Sequence, residues 1–367
     1  MSTSTTAVSF SGLDPFKLSG IQLTTNKLGT GAYASVYELD YWGLKCAGKK
    51  IHEMLLDLDR QGGGATYALS RYANECRLLS QLRHPNIVQF LGVYFEKDMQ
   101  VPVLVMEFLP TNLTSCIDKN GVLRPDIGYS ILHDVSLGLN YLHSQVPVIV
   151  HRDLSSNNVL LDSNMKAKIA DLGVAKILNL TPHQFSRVVR NTQAPGTASY
   201  MPPEALIPNP KYNTSIDVFS LGVMMIHVLS GQWPEPEGVP IRMEQGTMIP
   251  VSEAERREKS LNIIRKDHPL MKLIRKCIDN DPLVRPDVKS IVPRIKEMVA
   301  ANPPSFSNRL QMLRQIDAER EEKVKAIQRL SSLQLEPQME RHYGICMLNW
   351  SMHIFIMREY MYVFGSH

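Results

Sequence analysis

The stretch V148-I-V-H-R-D-L-S-S-N-N-V-L-L161 decides how the rest of the chain is read. Two apolar runs, Val148–Val150 and Val159–Leu161, enclose a polar loop that holds His151, Arg152, Asp153 and Asn158. Farther along come Asp171-Leu172-Gly173, Pro202-Pro203-Glu204, the run Asp217-Val218-Phe219-Ser220-Leu221-Gly222, and Arg285-Pro286. Toward the N-terminus, short β-type runs dominate: Ile21 to about Tyr41, Leu44 to Ile51, VQFLGVYF and VPVLVMEFL. YALSRYANECRLLSQL, starting at Tyr67, interrupts them with helix-like apolar spacing. Beyond Pro110 the pattern becomes helical in DIGYSILHDVSLGLNYLHSQ, SIDVFSLGVMMIHVLSG, HPLMKLIRKCID and DVKSIVPRIKEMVA. A strand-rich first third followed by a helix-rich remainder predicts an α+β chain with two segregated lobes.

A glycine-rich turn, Gly29-Thr30-Gly31-Ala32-Tyr33-Ala34, joins the first two strand-like runs. Glycines there let main-chain N–H groups approach a phosphate with no Cβ in the way. In Cys46-Ala47-Gly48-Lys49-Lys50, strand alternation puts Lys49 on the same side as Ala47, while Lys50 points away. Taken together in this order and spacing, the motifs resemble a eukaryotic protein kinase domain over about residues 20–300. GTASYMPPE and RHPNIVQFLGV resemble the tyrosine-kinase-like group of Ser/Thr kinases.

The resemblance implies a bilobal fold, a β-rich N-lobe over about 20–109 and a helical C-lobe over 110–300, and transfer of the γ-phosphoryl group of ATP to protein Ser/Thr hydroxyls. It implies that Gly29 and Gly31 cover the phosphates with Leu28, Thr30 and Ala32 beside them. Lys49 is implied to hold the α/β-phosphates and Glu75 to hold Lys49. Asp171 and Asn158 are the implied ligands of Mg²⁺ (or Mn²⁺), and Asp153 is implied to accept the substrate hydroxyl proton. Val36, Ala47 and Leu160 would sandwich the adenine. Met106 stands at the gatekeeper position, and main-chain groups of Glu107 and Leu109 would read the adenine edge. His151 is expected as a packed residue anchored by Asp217, stacked in an apolar spine with Leu79, Phe90 and Leu172. Glu204 and Arg285 are expected as a buried structural ion pair, and Thr197 as a substrate-loop residue bonded toward Asp153.

Four positions depart from the family pattern. Ala34 stands for a third glycine, Gly48 weakens the strand carrying Lys49, and Leu172 replaces an aromatic residue. Ser155 replaces a lysine that steadies the γ-phosphate, and neither it nor Asn157 supplies that positive charge. The catalytic loop therefore also has a tyrosine-kinase aspect, and tyrosine-directed or dual-specificity transfer and a nucleotide-binding scaffold stay open. Thr181, Ser186 and Thr192 lie in the activation segment as candidate phosphorylation sites, with Arg152 as the implied receiver.

The wider composition excludes other classes. Forty Lys and Arg against thirty-six Asp and Glu leave a net charge of +4, too small an excess for a nucleic-acid or membrane-surface role. The five cysteines are scattered without C-x-x-C spacing, which argues against a disulfide scaffold or cysteine zinc site and suits a reducing compartment. Residues 1–19 read as a flexible leader without a secretory pattern, so a cytoplasmic protein in intracellular signalling is expected. Residues 301–340 are charged, with roughly helical apolar spacing; 305–335 is a candidate for self-association as a short coiled coil, although Arg320 and Lys323 interrupt the seam. Residues 341–367 are Met- and aromatic-rich, and Arg358 and Glu359 within 344–365 argue against a membrane span.

Overall fold

In the computed structural model, the described residues are 10–303 apart from 32, 61–65, 98, 100, 179–188, 191–196, 206–210, 233–240, 245–246 and 251. All of them belong to one unit, Met1–Pro303. The candidate phosphorylation sites Thr181, Ser186 and Thr192, the turn residue Ala32, and the tail from Pro304 onward lie outside the described residues.

The N-lobe is an antiparallel sheet built from β1 (Ile21–Thr30), β2 (Ala34–Tyr41) and β3 (Leu44–Ile51), followed by α1 (Glu53–Arg60), α2 (Thr66–Gln81), β4 (Phe90–Tyr94) and β5 (Val103–Glu107). The strand order is β1-β2-β3-β5-β4, which makes β3 central and puts Gly48 between Tyr37 on β2 and Val105 on β5. An ideal Cβ on Gly48 would stand 2.5 Å from Leu39 Cδ1 and 2.8 Å from its Cγ. The glycine therefore makes room for the buried Leu39 side chain, a reason the linear sequence does not display. Leu79, Val93 and Leu104 are fully buried between α2 and the sheet, each worth about 1.5–3 kcal/mol of apolar transfer.

The expected flexible leader is corrected over its second half. Ser11–Phe16 forms a 3-10 turn, Phe10 and Leu13 are buried, and the Phe16 ring meets Phe90 edge-on at 5.3 Å. Leu18 then donates its N–H to Val93 O at 2.8 Å, on the edge strand β4. Three large apolar side chains and an unpaired sheet edge give this segment a place to dock.

The C-lobe begins with β6 (Thr111–Asn112), α3 (Leu113–Asn120) and α4 (Pro125–His143), and continues through β7 (Val148–Val150), β8 (Val159–Leu161) and β9 (Ala167–Ile169). It ends with α5 (Ser215–Ser230), α6 (Glu253–Ile263), α7 (Met271–Cys277) and α8 (Val288–Ala301). Asn112 Oδ1 caps α3 by accepting from Ser115 N, and Asp287 Oδ1 caps α8 by accepting from Ser290 N, both at 2.8 Å. Pro125 opens α4, where a missing N–H costs nothing. Helix α5 is apolar around nearly its whole circumference and is buried accordingly; it stops at Gly231, whose φ of 67° suits a left-handed cap. Strands β6, β8 and β9 pair into a small sheet beneath the N-lobe. The loop 151–158, between β7 and β8, is thereby held at the lobe boundary.

Candidate active site

Strand β3 and helix α2 meet at Lys49. Its Nζ donates to Glu75 Oε1 at 2.9 Å and Oε2 at 2.7 Å, and to Asp171 Oδ1 at 3.2 Å. Lys50 faces elsewhere and pairs with Glu53 and Glu96 at 3.1 and 2.7 Å. Burial alone would depress the Lys49 pKa; the carboxylates of Glu75 and Asp171 more than reverse this and raise it, so the ammonium stays charged. Burial pushes the Glu75 carboxyl up, against the pull of Lys49. Asp171 is also desolvated, yet Lys49 and the Gly173 N–H hold its pKa below the ordinary value. Asp171 has φ 58°, an uncommon left-handed conformation for a non-glycine residue, which directs its carboxylate toward β3. A residue not singled out from sequence fixes this corner. Tyr72, on the same helix as Glu75, places its hydroxyl 2.6 Å from Lys49 O and accepts from Leu104 N at 2.9 Å.

The loop after β7 is organised around two buried groups. Asp217 on α5 accepts from the main-chain N–H groups of His151 and Arg152 and lies against His143 Nε2, all at 2.8 Å. His151 is fully buried, with Nε2 on Ala170 O at 3.0 Å and Nδ1 accepting from Asp153 N at 3.2 Å. It is thus a packed brace between the loop and the segment leading to Asp171. Asn158 Nδ2 donates to Asp153 O at 2.8 Å, and its own carbonyl accepts from Ala170 N at 2.8 Å. Asp153 Oδ1 accepts from Thr197 N at 2.9 Å and Thr197 Oγ1 at 3.1 Å. Desolvation raises the Asp153 pKa, while His151 and the Thr197 hydrogen bonds oppose the rise.

A cavity of about 480 Å³ lies between the lobes and brings most of the expected residues together. Its roof holds Leu28, Gly29, Thr30, Gly31, Val36 and Ala47; its floor holds Leu160, Asn158 and Asp171. Met106, Glu107 and Leu109 form the rear and the connection between lobes. The Glu107 N–H is taken by Gln89 O at 3.0 Å, so that main-chain donor is already engaged. The Glu107 side chain holds Lys168 Nζ with both oxygens at 2.7 Å, tying the connection to β9; nothing in the sequence pattern marked this pair.

Leu79, Phe90, His151 and Leu172 are all buried, so leucine fills the place expected of an aromatic ring. Arg285 grips Glu204 with two parallel bonds of 2.5 and 2.9 Å, and its guanidinium lies 4.9 Å from the Phe219 ring centre. Ser155 is fully buried, lies outside the cavity lining, and its Oγ has no hydrogen-bond partner among the described residues. Its neighbour Ser156 joins a chain that sequence reading missed. Thr114 Oγ1 lies 2.7 Å from Ser156 Oγ, to which the Tyr200 hydroxyl donates at 3.0 Å. That hydroxyl also lies 3.0 Å from Nδ1 of His227, whose pKa burial pushes down to about 4.

The donor set suits a divalent cation shared with a polyphosphate. Among the described residues no cluster of three or more His, Cys, Asp or Glu side chains forms a cage. Asp171 and Asn158 both line the cavity, and a hard divalent cation completes so sparse a pair of protein ligands with phosphate oxygens and water. Above it Gly29 has open space where a Cβ would be, as close approach of phosphate to backbone requires. Among the described residues no helix is long and apolar enough to cross a membrane.

Comparison with known proteins agrees with this geometry. The family described as protein kinase domain matches residues 23–294. The chain is 33% identical over 281 residues to the cysteine-rich receptor-like protein kinase 36 of Arabidopsis thaliana, covering 73% of this chain and 40% of that protein. It is 32% identical to the probable serine/threonine-protein kinase SIS8 of Arabidopsis thaliana, covering 74% of this chain and 24% of the relative. Identity is 30% to the dual specificity protein kinase shkC of Dictyostelium discoideum, covering 74% of this chain and 50% of that one. The chain thus spans half or less of the length of these relatives.

Proposed function

The chain belongs to the protein kinase domain family, and on that premise we propose that it transfers the γ-phosphoryl group of ATP to serine or threonine hydroxyls of proteins. The observation that carries this reading is the convergence on one cavity of Lys49, Glu75 and Asp171, with Asp153 and Thr197 joined to each other beside it. Lys49 presents its ammonium to the α/β-phosphates and Glu75 fixes its direction. Asp153 accepts the proton of the attacking hydroxyl, with Thr197 holding one carboxylate oxygen so that the other faces the substrate. Asp171 and Asn158 would hold Mg²⁺, or Mn²⁺ in its place, which would supply positive charge against the negative charge of the phosphate oxygens. Little covalent work falls to the protein: positioning and fixed charge lower the barrier.

Thr197 supports Ser/Thr selection, and the similarity to SIS8, a probable serine/threonine-protein kinase, points the same way. A second reading, dual specificity, is favoured by Ser155 in place of lysine and by the name of shkC. The four described cysteines are free and buried, which fits the cytoplasmic location we include in the proposal. Self-association through 305–335, and protein rather than nucleic-acid or membrane partners, complete it on sequence grounds. Purified chain given γ-labelled ATP, Mg²⁺ and generic acceptor proteins should yield phosphoserine and phosphothreonine. Phosphotyrosine alone would overturn the assignment, and no transfer above an Asp153→Asn control would leave a scaffold.

A further inference from the structure

We propose that Tyr72 is a positioning residue for phosphoryl transfer, its hydroxyl fixing the main chain of Lys49 to helix α2 so that Lys49 and Glu75 keep their mutual alignment. The inference rests on the transfer reading above and adds a residue that reading does not use. Tyr72 and Glu75 stand one helical turn apart on α2, which puts both on one face. Glu75 holds the far end of Lys49, its ammonium, at 2.7 and 2.9 Å. Tyr72 holds the near end, with its hydroxyl 2.6 Å from Lys49 O. A lysine carries its charge on a long, flexible stem, so the ion pair alone lets the ammonium follow Glu75 while the strand drifts. With the carbonyl tied to the same helix, strand and helix move together.

The hydroxyl does this by entering the N-lobe sheet. Lys49 on β3 and Leu104 on β5 face each other at the end of the register between those strands. The Tyr72 oxygen accepts from Leu104 N at 2.9 Å and has Lys49 O and Pro102 O at 2.6 and 2.7 Å. A phenol has one proton to give, so the two carbonyls share it, and the oxygen joins three main-chain groups. Tyr72 is buried, and burial pushes its phenol well above the ordinary pKa, so the proton that makes these bonds is kept. The Phe10 ring, from the segment ahead of β1, packs on the tyrosine with ring centres 6.2 Å apart. Phenylalanine at position 72 would fill the same space and make none of the three bonds.

The test compares wild type and Tyr72→Phe as full chains in steady-state transfer from Mg·ATP to a serine peptide. Competent cavities are counted on the same preparations by the stoichiometry of adenosine binding in calorimetry. Tyr72→Phe should lower kcat per competent site roughly three- to tenfold, the usual worth of one neutral hydrogen bond, while KM for the peptide stays level. A residue that only held the lobe together would lower the number of adenosine sites or the unfolding midpoint and leave kcat per site unchanged. Tyr72→Leu gives the same reading if the phenylalanine variant cannot be purified. An unchanged kcat per competent site, or a peptide KM that rises while kcat holds, would overturn the inference. A wild-type chain that transfers no phosphate to the peptide would instead overturn the reading beneath it.

Discussion

Gly48→Ala adds one methyl group at the centre of the N-lobe sheet, and its effect can be worked from a single contact. The new Cβ would stand 2.5, 2.8 and 3.1 Å from Leu39 Cδ1, Cγ and Cδ2, all well inside van der Waals contact. Leu39 is 1% exposed, so its side chain has no solvent to turn into. Overpacking of this kind costs about 1–3 kcal/mol. Replacing glycine within a strand returns about 0.5–1 kcal/mol of backbone entropy, so a net loss of about 1–2 kcal/mol is expected. Leu39→Ala alone should cost about 2–5 kcal/mol through the cavity it leaves. In that background the added methyl occupies vacated space, and Gly48→Ala should then cost nothing or stabilise. The assay is denaturant unfolding of the wild type, both single variants and the double variant, analysed as a cycle. Additive losses, or a neutral Gly48→Ala in the wild-type background, would refute the argument that the glycine exists to admit Leu39.

Lys49→Met should stop phosphotransfer and Lys50→Met should leave most of it, since only Lys49 meets Glu75 and Asp171; steady-state rates decide this, and the reverse outcome would shift the strand register by one. The pKa of Asp153 is raised by burial, so the acid limb of the rate profile should lie higher than an unperturbed aspartate would place it. Thr197→Val removes a hydrogen bond that favours the ionised form and should move that limb to still higher pH; an unmoved limb in kcat against pH would argue against Asp153 as the proton acceptor. Arg285→Met leaves Glu204 without its partner beneath the activation segment and should destabilise the fold by about 3–5 kcal/mol in a denaturant titration.

What could be read from the chain itself was whatever depends on residue type at fixed separation. HRD and Asn158, the Asp171 segment and the alternation at Lys49 and Lys50 are of that kind, because loop and strand geometry convert spacing directly into position. Glu75 followed from the family resemblance, through its distance before RHPN. Contacts between distant segments left no comparable trace. Tyr72 under Lys49, Lys168 on Glu107 and the Thr114–Ser156–Tyr200 chain each join residues of ordinary type across separations that no motif records. The segment Phe10–Leu18 was misjudged for a related reason: Ser, Thr and Gly dominate its neighbourhood, but three large apolar side chains suffice to seat it on the sheet edge. Gly48 looked like a weakness because its use is visible only beside Leu39. Helix α3 was overlooked because its short apolar stripe, Leu113, Cys116 and Ile117, follows a strand directly.

The central claim is a division of work between a proton acceptor at Asp153, beside the cavity, and a metal-and-phosphate site at Asp171, which lines it. The most direct measurement takes Asp153→Asn and Asp171→Asn through two readings on the same preparations, Mg·ATP affinity and phosphoryl transfer to a serine peptide. The geometry leads us to expect that both variants lose transfer, that Asp153→Asn keeps near wild-type Mg·ATP affinity, and that Asp171→Asn binds ATP weakly with little response to Mg²⁺. Equal loss of Mg·ATP affinity in the two variants, or transfer retained by Asp153→Asn, would contradict it.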